Sequence, residues 1–341
     1  MCPDDSAVDQ APAASSPVAP LPAAAAAQLN EETEQGVFIA ADEVPLLSIL
    51  DYRIENGRTY HRYKDGSQFK DLADDLQHNL FIRTFHDHLG NAPPADFDAK
   101  VGRVLDIGTG SGIWAIDYGE EHPEAEVLGV DLSAVQPEFV PPNVRFEVDD
   151  IEEPWIFSDA FDYIHCRMMT WSITDWKKLF KQSYDNLNPG GYLEANEVDL
   201  IPLSDDGTLK EDSNLMKSVR LWGSAAEIFG RPFADTRRLK QFMEEVGFED
   251  VQMKRFKWPT NSWPKDRHYK ELGEWNLENI SPAWEGFLMA PLTRAHGWTR
   301  EEAIVHIMEA RRDIADRSIH AYFSIWSIYG RKPAKAENAE S

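Results

Sequence analysis

Only two cysteines stand among the 341 residues, Cys2 and Cys166. No disulfide framework can staple such a chain, and a reducing compartment suits it. No apolar run approaches the roughly 18–20 residues that a membrane-spanning helix needs. Early arginines are missing as well: Asp4, Asp5 and Asp9 occupy the first ten positions, which argues against a signal or transit peptide. Basic residues are outnumbered, 34 against 59 acidic ones, for a formal net charge of −25. A surface that acidic repels phosphate backbones and anionic lipids, so direct DNA binding and membrane binding are not expected. A protein partner with a basic face is left open. No internal repeat is visible. These absences describe a soluble intracellular chain, cytoplasmic or nuclear.

What is present is ample core material: 42% hydrophobic residues and 11 Trp. Residues 1–30 hold ten Ala and five Pro, too little buriable surface to offset ordering entropy, so 1–36 reads as a disordered tail. Residues 332–341 read as a second, polar tail. Residues 37–100 are expected to form a helical N-terminal segment or lid, and 101–331 one α/β domain. Within it, strand patterns at Arg103 to Ile107, Glu126 to Val130, Val144 to Val148, Phe161 to His165 and Tyr192 to Val198 alternate with helical patterns at Ser111 to Glu121 and Asp175 to Leu187. That alternation predicts βαβ units and a mainly parallel sheet with helices on both faces. Helices at Leu215 to Phe229 and Thr236 to Val246 follow, then strands at Val251 to Trp258 and His320 to Tyr329. About sixty residues, 259–318, are inserted between those last two strands. An insertion of that length usually carries function or an interface. It is Trp-rich, and Thr299 with Glu302 forms a capping box before its final helix.

One segment carries chemistry. Val104-Leu-Asp-Ile-Gly108-Thr-Gly110-Ser-Gly112 reads as strand, Gly-rich turn and helix start, which lets backbone approach a ligand closely beneath helix N–H groups. A dinucleotide site would want a third glycine where Ile113 stands, so a nicotinamide enzyme fits poorly. The glycines could also make no more than a tight turn. Asp131 ends the second strand, where a carboxylate can accept both hydroxyls of a ribose. Asp149, Asp150 and Ile151 end the third, where a carboxylate can take an adenine amino group while an apolar neighbour packs on the ring.

With Asp106 ahead of the turn, Leu187 to Glu197 (LNPGGYLEANE) and Leu239 to Val251 (LKQFMEEVGFEDV), this order is similar to that of class I S-adenosylmethionine (SAM) methyltransferases. Glu55 to Gly66 (ENGRTYHRYKDG), Asp75 to Phe81 (DLQHNLF), the long block Leu105 to Trp155 and Phe161 to Arg167 (FDYIHCR) narrow the match. From about residue 50 to 330 the chain resembles the fungal LaeA-like methyltransferases. The resemblance implies a Rossmann-like fold, SAM as cofactor, and a role in secondary metabolism or development exercised through a protein complex. It assigns Gly108 to the methionyl end of SAM, Asp131 to the ribose, and Asp150 with Ile151, or Asp149 in place of Asp150, to the adenine. Thr109, Gly110, Gly112 and Leu132 join them as cofactor-binding residues. Cys166 and Arg167 fall beside the sulfonium, although Arg167 could equally be an ordinary ion-pair partner. Tyr60 and Tyr63, with His61, would form a lid over the cofactor or else a packing patch.

Methyl transfer needs proximity, orientation and a dry cavity, and a general base only if the nucleophile is weak. His165, Glu194, Glu197 and Asp199 are the candidates, and alternation along a strand leaves open which of them faces the pocket. His86 and His88 lack further ligands, so no metal is expected. The acceptor, protein or small molecule, is not legible. A regulatory subunit that binds SAM and turns over little is the competing expectation.

Overall fold

A computed structural model describes residues 76–334 in full and the backbone of 52–55, 58–61 and 74–75. The sheet has seven strands: β3 (Arg103–Ile107), β4 (Glu126–Asp131), β5 (Val144–Val148), β6 (Phe161–Arg167), β7 (Leu187–Leu203), β8 (Glu249–Pro259) and β9 (Tyr322–Arg331). Their spatial order is β5-β4-β3-β6-β7-β9-β8. β3 pairs in parallel with β4 and β6, β4 with β5, and β6 with β7. β9 runs antiparallel between β7 and β8. The chain therefore reverses its direction of progress between β3 and β6, and in open α/β sheets ligands bind in the crevice outside the carboxyl ends at such a switch. This is the Rossmann-like sheet expected from the motif order.

Ahead of it, β1 (Tyr52–Glu55) and β2 (Arg58–His61) pair antiparallel, and α1 (Asp74–Thr84) follows. α1 is the helix expected in the N-terminal extension; the two strands are an addition to the helical reading. Tyr60 lies in β2, opposite Arg53, while its side chain, Tyr63, the expected tail 1–36 and residues 335–341 of the second one lie outside the described residues. Lys332, expected in that second tail, is instead tied to β7, its N–H donating to the Gly191 carbonyl at 2.8 Å.

Helices α2 (Ile113–Glu121), α3 (Trp176–Asn186) and α5 (Leu239–Val246) cover the two faces of the sheet. α3 starts where the Asp175 side chain accepts from Lys178 N and buries the stripe Trp176, Leu179, Phe180 and Ser183. That stripe joins Ile107, Ile164 and Cys166 in one core, whereas Trp114 and Tyr118 of α2 join Val104, Val127 and Tyr163 in another. A third core is built from α1, α4 (Asn214–Ile228) and the insertion, whose helices are α6 (Arg267–Ala290) and α7 (Arg300–Ala315). The capping box of Thr299 and Glu302 opens α7 as expected. Ile307 and Ile314 of α7 are buried, whereas Met308 is 48% exposed.

Element boundaries differ from expectation for local reasons. α2 begins two residues late because Gly112 has φ +84, a left-handed conformation that cannot continue a helix. β7 begins already at Leu187, and a register shift opposite Phe161 and Tyr163 absorbs Pro189 and the positive φ of Gly190. β9 begins at Tyr322 because His320 is held in the preceding loop, its N–H donating to Thr208 Oγ1 at 2.8 Å and its ring to Asp206 at 2.6 Å. The insertion is stitched back to the end of β8 by buried amides: Asn276 Nδ2 donates to the Pro259 carbonyl at 2.9 Å and Asn261 Nδ2 to the Ile314 carbonyl at 2.8 Å.

Candidate active site

The Gly-rich turn after β3 hangs on the end of β4. Gly108 N and Thr109 N both donate to the Val130 carbonyl, at 2.8 and 3.1 Å. The Asp131 carboxylate accepts from Gly110 N through one oxygen and Ser133 N through the other, both at 2.9 Å. Gln136 Nε2 ties the Gly110 and Ser133 carbonyls together at 2.7 and 2.9 Å. The carboxylate of Asp131 is thus aimed and held by backbone.

The glycines divide the work. Gly108 takes a left-handed φ of +66, strained for any side chain, and a Cβ there would also push aside the Met169 sulfur 2.3 Å away. At Gly112 a Cβ would stand 2.4 Å from the Phe146 ring, so this glycine serves helix-to-strand packing and lines no cavity. Gly108, Thr109 and Gly110 line a cavity of about 200 Å³ that also touches Asp106, Asp131, His165, Arg167 and Met169. A smaller cavity of about 30 Å³ is lined by Asp131, Leu132, Asp149, Asp150 and Ile151, and shares Gly108 and Met169 with the first. The structure therefore brings together most of the expected cofactor residues along one path around the turn. Asp150 is buried and Asp149 exposed; Asp150 Oδ1 accepts from Glu152 N at 3.0 Å.

Cys166 is not among them. It points into the core with Ile107 and Ala195, fully buried, and burial pushes its thiol well above the ordinary value. Arg167, one residue on, faces the opposite side of the sheet. It lines the larger cavity, lies 4.9 Å over the Phe81 ring and contacts His78 Nδ1 at 3.2 Å. His78 passes the contact to Asp117 at 2.9 Å, and burial lowers its pKa.

The four candidate bases separate cleanly. His165 lines the cavity, stacked 3.8 Å from Trp114, with Nδ1 on Asp106 Oδ1 at 2.8 Å and Asn196 Nδ2 on its Nε2 at 3.3 Å. Asp106 also takes the Thr109 hydroxyl at 2.6 Å. Asp106 is thus a bracket between turn and strand, reaching cavity and network together. Glu194 lies outside the cavity and accepts from Asn91 N, Ala92 N, Tyr163 Oη, Asn196 Nδ2 and Ser327 Oγ, at 2.8 to 3.1 Å. Asp199, its carboxyl raised by burial, accepts from Ile201 N at 3.2 Å and lines neither cavity.

Glu197 is buried under the loop that follows β6, accepting from Met169 N at 3.0 Å and Thr170 Oγ1 at 2.6 Å. Burial raises its pKa from 4.5 to about 7. The folded chain therefore holds a proton that the unfolded chain loses between those values. Its contribution to stability is full below pH 4.5, declines as pH rises through the window, and is lost above pH 7, a change of about 3 kcal/mol. Glu197→Gln copies the neutral form and keeps an acceptor for Met169 N. Thermal melts across pH 5 to 8 should show a shallower decline for the variant and a higher Tm than the parent at pH 8. Identical slopes would contradict the burial argument.

Beyond His165 the larger cavity continues into a chamber that sequence reading missed. One wall is a single face of α6: Asn276, Asn279, Ile280, Ala283, Trp284 and Phe287, at the three- and four-residue steps of one helical stripe. The others come from Trp171, Val198, Leu200, Trp222, Trp258 and Phe323. Trp155, in contrast, is a core residue, its Nε1 donating to the Ile151 carbonyl at 2.9 Å. Among the described residues no group of three or more His, Cys, Asp or Glu gathers as a metal site, and no helix is long and apolar enough to cross a membrane.

Comparison with known proteins agrees with this architecture. A family model described as a methyltransferase domain matches residues 76–253, more than half of the chain. The methyltransferase pytC of Aspergillus terreus is 39% identical over 84% of this chain and 90% of its own length. The secondary metabolism regulator LAE1 of Cochliobolus heterostrophus is 38% identical over 82% of this chain and 94% of its own. Among solved structures, phosphoethanolamine N-methyltransferase 2 of Haemonchus contortus, in complex with S-adenosyl-L-methionine, is 20% identical with a TM-score of 0.43, over 81% of this chain and 62% of that one.

Proposed function

The chain belongs to the SAM-dependent methyltransferases of the fungal LaeA-like group, and from that premise we propose how its residues divide between cofactor and acceptor. The observation that carries the proposal is the continuity of the cavity from the Gly108–Gly110 turn and Asp131, past His165 and Arg167, into the tryptophan-lined chamber.

The donor set suits SAM. Asp131, which lines both cavities, is assigned to the ribose hydroxyls. Ile151 and Asp150, with Asp149 beside it, are assigned to the adenine, and Leu132 lines the same small cavity with them and Asp131. Gly108 and Gly110, both with positive φ, let the methionyl part approach backbone. Arg167 is the one guanidinium lining the larger cavity among the described residues. A cation next to a sulfonium is repelled and next to a carboxylate attracted, so Arg167 is assigned to the methionyl carboxylate rather than to the sulfur. SAM, when bound, supplies a methyl group activated for in-line displacement. The chain itself contributes orientation, through Asp131 and Arg167 at two points, and exclusion of water, through the aromatic wall beyond.

A titration with two ligands tests Arg167. S-adenosylhomocysteine carries the amino-acid carboxylate and 5′-methylthioadenosine lacks it. By calorimetry, Arg167→Met should weaken the first by about tenfold, the worth of one charged hydrogen bond, and leave the second unchanged. Equal losses on both ligands would move Arg167 to a purely structural role.

One observation favours the reading of a SAM-binding subunit in a complex. Of the four candidate bases only His165 lines the cavity, and both of its ring nitrogens are engaged. A protein partner with a basic face, in the cytoplasm or nucleus, would complement the charge of −25. Under that reading the isolated chain binds S-adenosylhomocysteine yet methylates only in the presence of its partner. Turnover on a defined acceptor by the isolated chain would overturn it.

A further inference from the structure

Arg167, given above to the methionyl carboxylate, is met by a histidine from the N-terminal extension. Its Nη1 stands 3.2 Å from His78 Nδ1. A guanidinium has only N–H donors, so this ring nitrogen is the acceptor and carries no proton. The ring proton is then on Nε2, which donates to Asp117 Oδ2 at 2.9 Å. His78 is 1% exposed. A neutral imidazole in one tautomer therefore stands between the cation and the carboxylate. A proton on Nδ1 would turn an N–H towards the guanidinium and remove its acceptor. Burial, the largest influence, lowers the pKa of the ring, as does the charge of Arg167, while Asp117 of α2 and Asp106 of β3 act in the opposite direction.

α1 is anchored without this histidine. It buries Leu80, Phe81 and Phe85 in the core shared with the insertion. Thr84 Oγ1 accepts from Trp258 Nε1 at 2.7 Å, and Arg83 donates to Glu271 of α6 at 3.3 Å. Burying an imidazole between a guanidinium and a carboxylate adds a desolvation cost to a helix already docked. What the arrangement gains is a fixed guanidinium. His78 offers it an acceptor, and Phe81, three residues along the same helix, a ring 4.9 Å from its carbon. Gln77, next to His78 on α1, lines the same cavity as Arg167. A long side chain held in this way beforehand has less freedom to lose when a ligand arrives.

Resting on the assignment of Arg167 above, we propose that His78 is a positioning residue for the cofactor. Through its unprotonated Nδ1 it holds the Arg167 guanidinium in the pose that receives the methionyl carboxylate, and Asp117 keeps the ring in the tautomer that can do so.

Two substitutions separate the nitrogens. In His78→Asn the amide oxygen reaches the place of Nδ1 and can accept from Arg167; in His78→Gln the amide reaches the place of Nε2 and can meet only Asp117. Calorimetry on the full chain reads the ratio of affinities for S-adenosylhomocysteine and 5′-methylthioadenosine, with a melting curve for each variant. His78→Gln should lower that ratio about fivefold, the ordering of one long side chain, and His78→Asn should keep it close to the parent value. On an Arg167→Met background His78→Gln should change the ratio no further. A histidine that only clamps α1 to α2 would behave otherwise, lowering Tm most in the Asn variant and moving the ratio in neither. A ratio unmoved by His78→Gln, lowered as far by His78→Asn, or lowered again on the Arg167→Met background overturns the proposal. Should the buried variants fail to fold, Asp117→Ala decides, at a side chain 38% exposed. A ring free to carry its proton on either nitrogen should lower the ratio about twofold, and an unchanged ratio overturns the proposal. If Arg167→Met itself leaves the ratio unmoved, the assignment of Arg167 falls with it; if only the His78 and Asp117 variants do, the positioning role falls alone.

Discussion

Asp131→Ala should lower the affinity for S-adenosylhomocysteine by about a hundredfold. Two hydrogen bonds from ribose hydroxyls to a carboxylate are each worth about 1.5 kcal/mol or more, and 1.4 kcal/mol is a factor of ten. The same substitution strips the acceptors from Gly110 N and Ser133 N, so the turn should loosen as well. Asp131→Asn, with one carbonyl oxygen left, should fall between. Calorimetric titration gives the affinities, and a melting curve without ligand isolates the loss in the turn. Unchanged affinity in the alanine variant would refute the assignment of this carboxylate to the ribose, whatever happened to Tm.

Glu194→Leu should be the most damaging single change in the sheet. Five donors converge on this buried carboxylate, from the loop before β3, from β6, from β7 and from β9. Leaving them unmatched costs about 4 kcal/mol, in the range measured for breaking buried charged contacts. For a domain of this size that lowers Tm by about 10 °C or prevents folding. Glu194→Gln should cost less but still show in Tm, because its amide adds a donor to a nest of donors. A general base would behave otherwise: Gln in its place would abolish turnover and leave Tm alone. Melting curves on both variants decide between the two.

The sheet, its direction and its ligand end could be read from the sequence because the signals are local. The run Arg103 to Ile107 breaks at a glycine, and the helix from Trp176 shows its stripe plainly. The positions of Asp131 and Ile151 beside the small cavity were legible for the same reason, one closing β4 and the other three residues past the end of β5. Cys166 and Arg167 were not separable, since alternation says that neighbours face opposite sides without saying which side is the pocket. The roles of Glu194 and Glu197 depend on loops that reach them from far along the chain, the Asn91 amide in one case and the Met169 amide in the other. The aromatic chamber was hidden most thoroughly. Gly273, Pro282 and Gly286 interrupt the pattern of α6, and a proline with two glycines reads as loop. In the fold the glycine at 273 is a packing device, its absent Cβ leaving room for the Asn261 carbonyl 2.1 Å away.

β9 comes after its two sheet neighbours in the chain, yet lies between them. During synthesis, the strands from β3 to β6 and the cofactor turn emerge first and can associate by parallel pairing. β8, released some sixty residues ahead of β9, has no place in the sheet until Tyr322 to Arg331 leaves the ribosome. Phe323, one wall of the chamber, arrives with it. A nascent or truncated chain ending before β9 would therefore hold the glycine-rich turn and its strands with the aromatic chamber open and an unpaired strand edge, the kind of species that chaperones retain. Completion of the last strand covers the facing edges of β7 and β8 and closes the chamber wall in one step.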